Sequence, residues 1–285
     1  PKPLWRTRDD TSTLPASTNG GTRMGTFHEA TAVTRRGHAY ETALDPQWTV
    51  AGKPHGGYLL ATMTRAACHS AGPRHPQPAT VTAAFLTAPT PGPADIHIDH
   101  LRTGHGTTQT RARLTQNDTL HVEALITLEH LTHDGPTWSG LEPVHLPAEH
   151  RCPRTPPREP GGTTPVPLME VIEQRLDPLS DTPSHRGFIA GWQRLADGTD
   201  WDPLSLLVAL DLVPSVTYDL GLPDRTTTIQ FSAYIRRIPA PGPLRFSMHA
   251  SDITNARMDE TTYLWDSEDR LVAQATQLAA IRTPT

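Results

Sequence analysis

Two matching halves constrain the fold of this 285-residue chain more than any other feature. Pro91–Pro93 returns as Pro241–Pro243, in each case after an apolar strand-like run and before an alternating one. Asn117–Leu120 likewise corresponds to Glu268–Leu271, and each of these turns leads into the last strand-like run of its half. A repeat of this length is typical of two duplicated domains and not of a solenoid.

Each half reads as one helix followed by an antiparallel meander of four strands. In the first half His55–Gly57 opens an apolar stripe at helical spacing. In the second half Asp202-Pro203 is a typical helix start, and the apolar run behind it predicts a helix over 202–217. Strands are predicted at 27–33, 38–44, 81–86, 96–101, 107–114 and 120–128, and again at 186–193, 226–236, 244–250, 257–265 and 271–281. Because a helix and a sheet must each bury an apolar face, we expect an α+β fold in which each half wraps an antiparallel sheet around a long central helix.

Composition divides the chain further. Small polar residues fill 1–25, which we interpret as a flexible arm, and a proline-rich stretch at 141–184 is typical of a linker. The N-terminal domain is therefore expected at 26–140 and the C-terminal domain at 185–285.

Charge and cysteine content exclude several classes of protein. A formal charge of −5 without runs of Lys or Arg argues against a nucleic-acid partner. No apolar stretch approaches the length of a membrane span, which argues against a membrane partner. Two cysteines, Cys68 and Cys152, do not form a disulfide framework and suit a reducing compartment, so we expect a cytoplasmic protein.

The predicted second helix contains one acidic side chain, Asp211, between Leu210 and Leu212. An ionised carboxylate in apolar surroundings is costly without partners, so Asp211 is either paired structurally or used for chemistry. Apolar burial would also make it a stronger base unless hydrogen bonds stabilise its charge, which suits a general base. The residues alone leave both interpretations open.

Four stretches resemble the acyl-CoA thioesterase II family and its thioesterase-like relatives. They are HGGYLLATMTRAA, VTAAFLTAPTPGPADIHIDHLRTG, TTTIQFSAYIRRIPAPGPL and LWDSEDRLVAQATQLAAIR. The similarity covers residues 26–130 and 186–282, nearly all of the predicted folded chain. The resemblance implies a double hotdog fold, the family's name for two repeats of a sheet wrapped around a helix.

The family also implies site residues and a reaction. Its members bind the attacking water with an Asp on the second-half helix, a Thr on the next strand and a Gln on the last strand. Motif by motif these fall on Asp211, on Thr228 in TIQF and on Gln277 in ATQL. The implied activity is hydrolysis of an acyl-CoA or carrier-protein thioester in lipid or polyketide metabolism, with no cofactor and with a small-molecule acyl thioester as partner. Whether the double hotdog forms a homo-oligomer stays open.

The start of the first helix, from His55 through Gly56 and Gly57 to Tyr58, is the candidate substrate-binding element. Its free amides would polarise a thioester carbonyl, as in an oxyanion hole. Relatives carry Asn or Phe where this chain has His55, which either acts as a second acid/base group or caps the helix as a neutral residue.

The residues leave two alternative functions open, and they predict no metal site. A desolvated Asp211 also suits a hotdog-fold dehydratase, isomerase or cyclase acting on a polyketide-like acyl group, because fold does not fix function. A non-catalytic acyl-binding protein is the second alternative. The 15 histidines include no His-Glu-x-x-His motif, and no metal site is predicted.

Overall fold

The computed structural model describes residues 26–159, 162–178, 187–211, 214–222 and 225–282. The arm predicted at 1–25 lies outside these ranges. The helices of the described part are α1 (Phe27–Ala30), α2 (Gly56–Ala71), α3 (Leu168–Val171) and α4 (Leu206–Leu210), with 3-10 turns at Pro46–Trp48 and Glu149–Arg151. The strands are β1 (Thr34–Arg36), β2 (Ala39–Leu44), β3 (Thr49–Val50), β4 (Lys53–Pro54), β5 (Gln77–Phe85), β6 (Gly92–Thr103), β7 (Thr108–Gln116), β8 (Thr119–Glu129), β9 (Ile172–Leu176), β10 (Phe188–Leu195), β11 (Arg225–Ile235), β12 (Leu244–Thr254), β13 (Arg257–Trp265) and β14 (Leu271–Arg282).

Twelve of these strands form one antiparallel sheet in the order β1-β2-β6-β7-β8-β5-β11-β14-β13-β12-β10-β9. Strands β5 and β11 pair at its centre, from Thr80 opposite Tyr234 to Ala84 opposite Gln230. The strand order is the same when it is counted outwards from this central pair, so the two halves repeat one plan around it. The structure thus confirms the duplication but not a meander of four strands in each half. Strands β6–β8 and β12–β14 form three-stranded meanders, while β5 and β11 each pair with the last strand of their half.

The first half contains the expected long central helix. Helix α2 has 16 residues, and its side chains from Gly57 to Ala67 are buried. It packs against β5, β6, β7 and β8, four strands of its own half, and against α4. The apolar faces of helix and sheet cover each other here, as the hydrophobic pattern predicts.

The second half departs from the prediction of a long helix over 202–217, because α4 spans only Leu206–Leu210. The Asp202 side chain accepts the Ser205 amide at 2.6 Å, and this local turn precedes the helix, which begins after Ser205. The chain leaves helical geometry at Asp211, with φ −97° and ψ 76°, and Pro214 has no amide with which to continue a helical ladder. Asp211 is therefore the residue at which the helix ends, and does not lie within it.

Two shorter segments also differ from expectation. Residues 27–33, predicted as a strand, begin with helix α1, which a capping box between Thr26 and Glu29 stabilises. The predicted linker at 141–184 contains α3 and then β9, which pairs with β10 at the edge of the sheet.

Candidate functional site

The Asp211 carboxylate lies against the first turn of α2, although the two belong to different halves of the chain. Its Oδ2 accepts the Gly57 amide at 2.8 Å. The first amides of a helix have no partner within the helix and carry its positive end, so they favour a negative charge at this place. Hydrogen bonds therefore stabilise the charge of Asp211, the condition under which a carboxylate tolerates apolar surroundings.

The two glycines at the start of α2 are required by this contact. A Cβ at Gly57 would lie 2.3 Å from the backbone oxygen of Leu207 in α4, and one at Gly56 would lie 2.7 Å from Oδ2 of Asp211. Both distances are shorter than real side chains allow. The backbone that approaches the start of α2 at Gly57 is therefore that of α4.

His55 turns its ring towards the same carboxylate. Its Nε2 lies 2.6 Å from the backbone oxygen of Asp211 and 3.2 Å from Oδ2, and the side chain makes no capping hydrogen bond to α2. The ring is buried, and its Nδ1 has no hydrogen-bond partner. The His55 side chain thus contacts Asp211 and does not cap the helix.

Tyr58 makes contacts of a different kind. Its hydroxyl donates to the Ala30 carbonyl at 2.7 Å and accepts the Asp45 amide at 3.0 Å, while its ring stacks on Trp48. Burial raises the pKa of Tyr58 to about 12, so the phenol stays neutral. These contacts attach α2 to residues that precede it in the chain. Because the side chain of Tyr58 is used in this way, only its backbone amide faces the start of the helix.

Thr228 and Gln277, on the neighbouring strands β11 and β14, contact each other directly. The Thr228 hydroxyl donates to Oε1 of Gln277 at 2.9 Å. Simple alternation from Phe231, Ala233 and Ile235, which face the core, would turn Ile229 inwards and Thr228 outwards. A β-bulge between Thr228 and Gln230 reverses this phase and places the hydroxyl on the core side of the sheet.

A second carboxylate, Glu260, completes the cluster. Glu260 lies directly opposite Gln277 in the β13–β14 ladder and accepts its Nε2 at 2.5 Å. Its other oxygen accepts the Ser215 hydroxyl at 2.7 Å and the Val216 amide at 2.8 Å. Only 1% of Glu260 is exposed, and this burial raises the pKa of its carboxyl group above the usual value, an effect to which the negative charge of Asp211 adds.

The predicted catalytic residues thus form two groups in one region. Helix α4 packs on β11, β13 and β14, the strands that carry Thr228, Glu260 and Gln277. No hydrogen bond joins Asp211 directly to Thr228 or Gln277 among the contacts of the described residues. The negative charge of Asp211 also contributes to raising the pKa of Glu260.

Glu260 was not among the residues predicted from sequence, although its position carried a signal. It stands in phase with Met258, Thr262 and Leu264, all of which are buried on the same face of β13. A glutamate at an inward position of a predicted strand is rarely left unpaired, so it marks a buried polar site.

The described residues contain no group of three or more His, Cys, Asp or Glu side chains arranged to hold a metal ion. None of the helices in the described ranges has the length and apolarity that a membrane crossing needs.

Comparison with known proteins connects this site to a family. The model of the acyl-CoA thioesterase N-terminal domain matches residues 44–129, and that of the C-terminal domain matches residues 147–281. An uncharacterized protein of Mycobacterium tuberculosis is 31% identical over 265 residues, which cover 85% of this chain and 90% of that protein.

Solved structures support the same assignment. A protein from Thermobifida fusca YX, provisionally described as a thioesterase II, superposes with a TM-score of 0.81 at 27% identity, over 93% of this chain and 100% of that one. A hotdog-fold protein of unknown function from Alicyclobacillus acidocaldarius gives 0.78 at 23% identity, over 91% and 98%. The hotdog plan is confirmed, except that the second half lacks a long central helix. With both halves matched in order along the sequence, the chain belongs to the acyl-CoA thioesterase family.

Proposed function

We propose that this protein hydrolyses acyl thioesters, with Asp211 as the general base and Thr228 and Gln277 as the groups that hold the attacking water. The observation that carries the proposal is the direct Thr228–Gln277 hydrogen bond between β11 and β14, two of the strands on which α4 packs, together with Asp211 at the residue where α4 ends. The N-terminal domain proposed at 26–140 contributes the start of α2, and the C-terminal domain proposed at 185–285 contributes the carboxylate and the water-binding pair.

The hydrogen-bonding capacity of the pair supports the placement of a water. The Thr228 hydroxyl donates its only proton to Gln277, and its lone pairs remain able to accept. The Gln277 amide donates one N–H to Glu260, and its other N–H remains able to donate. A water that donates to Thr228 and accepts from Gln277 has its second proton left to give to Asp211.

The proposed reaction then balances without a cofactor. The water oxygen attacks the thioester carbonyl carbon as its proton passes to Asp211, giving a tetrahedral intermediate with a negative oxygen. The C–S bond breaks as this intermediate collapses, and the proton held by Asp211 passes to the leaving thiolate. The products are a carboxylic acid and the free thiol of coenzyme A or of a carrier protein.

The first turn of α2 is proposed to stabilise the negative oxygen. The Gly57 amide is engaged by Asp211, so this role falls to the amides of Gly56 and Tyr58, which have no acceptor within the helix. The free thiols of Cys68 and Cys152 support a reducing compartment, and we propose that the protein works in the cytoplasm, in lipid or polyketide metabolism.

Release of free thiol from a panel of acyl-CoA and acyl-carrier-protein thioesters tests the proposal. We expect turnover by the native chain and a loss of at least about 100-fold in kcat for Asp211→Asn, the size of a general-base effect. Asp118→Asn, in the exposed β7–β8 turn, is the matched control and should retain full activity. A loss below tenfold in Asp211→Asn would contradict the role of Asp211, and tight acyl binding without turnover would favour a non-catalytic binder.

One observation favours a second candidate function. The 3.2 Å contact between His55 Nε2 and Asp211 Oδ2 joins an imidazole and a carboxylate. Together these groups can move a proton to and from a carbon atom of a substrate. Such a pair suits dehydration, isomerisation or cyclisation of an acyl group. His55→Gln distinguishes the candidates, because a dehydratase would lose its acid/base partner and nearly all turnover. The hydrolase would keep water, Asp211 and most of its thiol release.

A further inference from the structure

Glu260 is a buried carboxylate that the proposed hydrolysis does not use. It is 1% exposed, and the ion pairs found in the described part of the chain do not include it. Three donors neutralise it only in part, namely Gln277 Nε2, the Ser215 hydroxyl and the Val216 amide. An ionised group kept without a cation is expensive, so its presence calls for a reason other than stability.

We propose that Glu260 is a positioning residue that fixes the orientation of the Gln277 amide and thereby of the hydrolytic water. This inference rests on the proposed function of the Thr228–Gln277 pair and adds a residue to it. Glu260 itself does not touch the substrate.

The amide side chain of Gln277 fits its place in two orientations. Gln277 can present either its oxygen or its NH₂ group to Thr228, and the two arrangements have the same shape. An ionised carboxylate only accepts hydrogen bonds, so Glu260 requires the Nε2 end of Gln277 to face it, as observed at 2.5 Å. Oε1 must then face Thr228, whose hydroxyl donates to it at 2.9 Å.

This order of donors has a consequence for the water. With its proton committed to Gln277, the Thr228 hydroxyl can only accept from a water, and the remaining Gln277 N–H can only donate to it. In the reversed arrangement the Thr228 proton would be free and would point at the water. Glu260 therefore decides which atom of the water faces Thr228, and so whether a proton is directed to Asp211.

The same carboxylate also holds the chain that follows the general base. Oε1 of Glu260 accepts from Ser215 and Val216, four and five positions after Asp211. One carboxylate thus links the strand residue that orients the water to the segment that carries the base. Loss of either link would change the distance between water and base, and an error of about 1 Å in such geometry can cost about 100-fold in rate.

A double-mutant cycle tests the proposal with Glu260→Gln, Gln277→Ala and the double variant. We expect Glu260→Gln to lower kcat by about 10- to 100-fold, with KM within about threefold, since a charged hydrogen bond of this kind is removed. The double variant should lose clearly less than the two single losses combined, because Glu260 acts in large part through Gln277. Additive effects, or a kcat of Glu260→Gln within twofold of the native value, would overturn the proposal.

Two controls keep the outcome decisive. Glu123→Gln changes a strand glutamate whose side chain is 39% exposed, and it should leave kcat unchanged. Thermal unfolding verifies that each variant folds. If Glu260→Gln does not fold, Glu260→Asp takes its place in the cycle, because it keeps the charge but withdraws it from Gln277 by one methylene.

A measurement without substrate separates this inference from the hydrolysis proposal. The side-chain amide protons of Gln277, assigned by their loss in Gln277→Ala, should be shifted by the adjacent charge and should move in Glu260→Gln. Unmoved resonances would refute the positioning of Gln277 by Glu260 even in an active enzyme. Moved resonances in a protein that releases no thiol would refute the hydrolysis proposal alone.

Discussion

The two halves of the molecule share a sheet plan but differ where the site lies. Glu260 stands opposite Gln277 in the second half, and 150 positions earlier Thr110 stands opposite Ile126 in the first. The bulge that turns Thr228 inwards has a counterpart at the start of β5, beside Pro78, 150 positions before Thr228. Both halves thus have the β-bulge, but the hydrogen-bonding side chains occur only in the second half.

The central helices differ in a complementary way. Both begin after residues 150 positions apart, His55 and Ser205. Helix α2 continues through Ala61, whereas α4 ends at the corresponding position, which is Asp211. The long helix supplies free amides and the short one supplies a carboxylate in place of its next turn. A site of this kind therefore needs two halves that differ. Two long helices would leave no carboxylate at a helix end, and two short helices would lack the dipole of a long helix.

The largest expected effect comes from separating the two helix ends. Gly57→Ala inserts a Cβ 2.3 Å from the Leu207 oxygen, so α4 must move away and Asp211 moves with it. We expect thioester turnover to fall by about 100-fold, with a loss of about 1–3 kcal/mol in the free energy of unfolding. Gly106→Ala is the control, because nothing lies within 4 Å of its Cβ position. Native-like turnover in Gly57→Ala would show that the contact between the helices does not place the base.

An intermediate effect tests the asymmetry of the two halves of the sheet. Thr228→Val removes the hydroxyl that donates to Gln277 and should lower kcat by about tenfold or more, the value of one hydrogen bond. Thr110→Val makes the same substitution at a buried threonine of the first half, where the hydroxyl makes only a 3.5 Å contact with the Ile126 carbonyl. We expect it to leave kcat within twofold. Equal losses in the two variants, measured by thiol release, would mean that both halves contribute side chains to the site.

The smallest expected effect concerns stability and pH. Burial raises the pKa of Glu260 in the folded state above its ordinary value of 4.5, so the folded chain holds this proton more tightly than the unfolded chain does. The contribution of Glu260 to stability is therefore greatest below pH 4.5 and is lost as the pH rises through the folded-state pKa. Thr110 has no such dependence, since it does not ionise.

Unfolding midpoints between pH 4 and 8 measure this effect. Relative to the native chain, Glu260→Gln should become more stable as the pH rises across this interval. Glu123→Gln, a half-buried glutamate in the other half, is the control. A relative loss in Glu260→Gln as the pH rises would show that the ionised group stabilises the fold.

The sequence was sufficient for the parts that follow from periodicity. The matching turns at Pro91–Pro93 and Pro241–Pro243 predicted two repeated sets of four strands, and the structure contains both sets, with β5 and β11 paired to the last strand of their set and not to the next one. The apolar stripe behind Gly56 and Gly57 predicted a long helix, because its polar and apolar faces alternate at helical spacing. The identity of the family followed from motifs in both halves.

Other features depend on interactions that periodicity does not encode. The apolar run around Leu206–Leu210 looks the same for a long helix and a short one, since tertiary contacts decide where it ends. The inward position of Thr228 depends on a bulge, which reverses the alternation on which strand prediction relies. Residues 27–30 are helical because of a Thr26–Glu29 capping box, a pattern that is visible in the sequence but was outweighed by the strand-forming residues around it.

The pairing of β5 with β11 also determines what either half would do alone. Each of these strands would become the open border of a six-stranded sheet, with unsatisfied amides and carbonyls along Thr80–Ala84 or along Gln230–Tyr234. A fragment ending in the linker would therefore recruit a second fragment through this border or precipitate. Because the two halves are joined in one chain, β5 and β11 always have each other as partners. The second half can therefore have a shorter central helix that ends at Asp211.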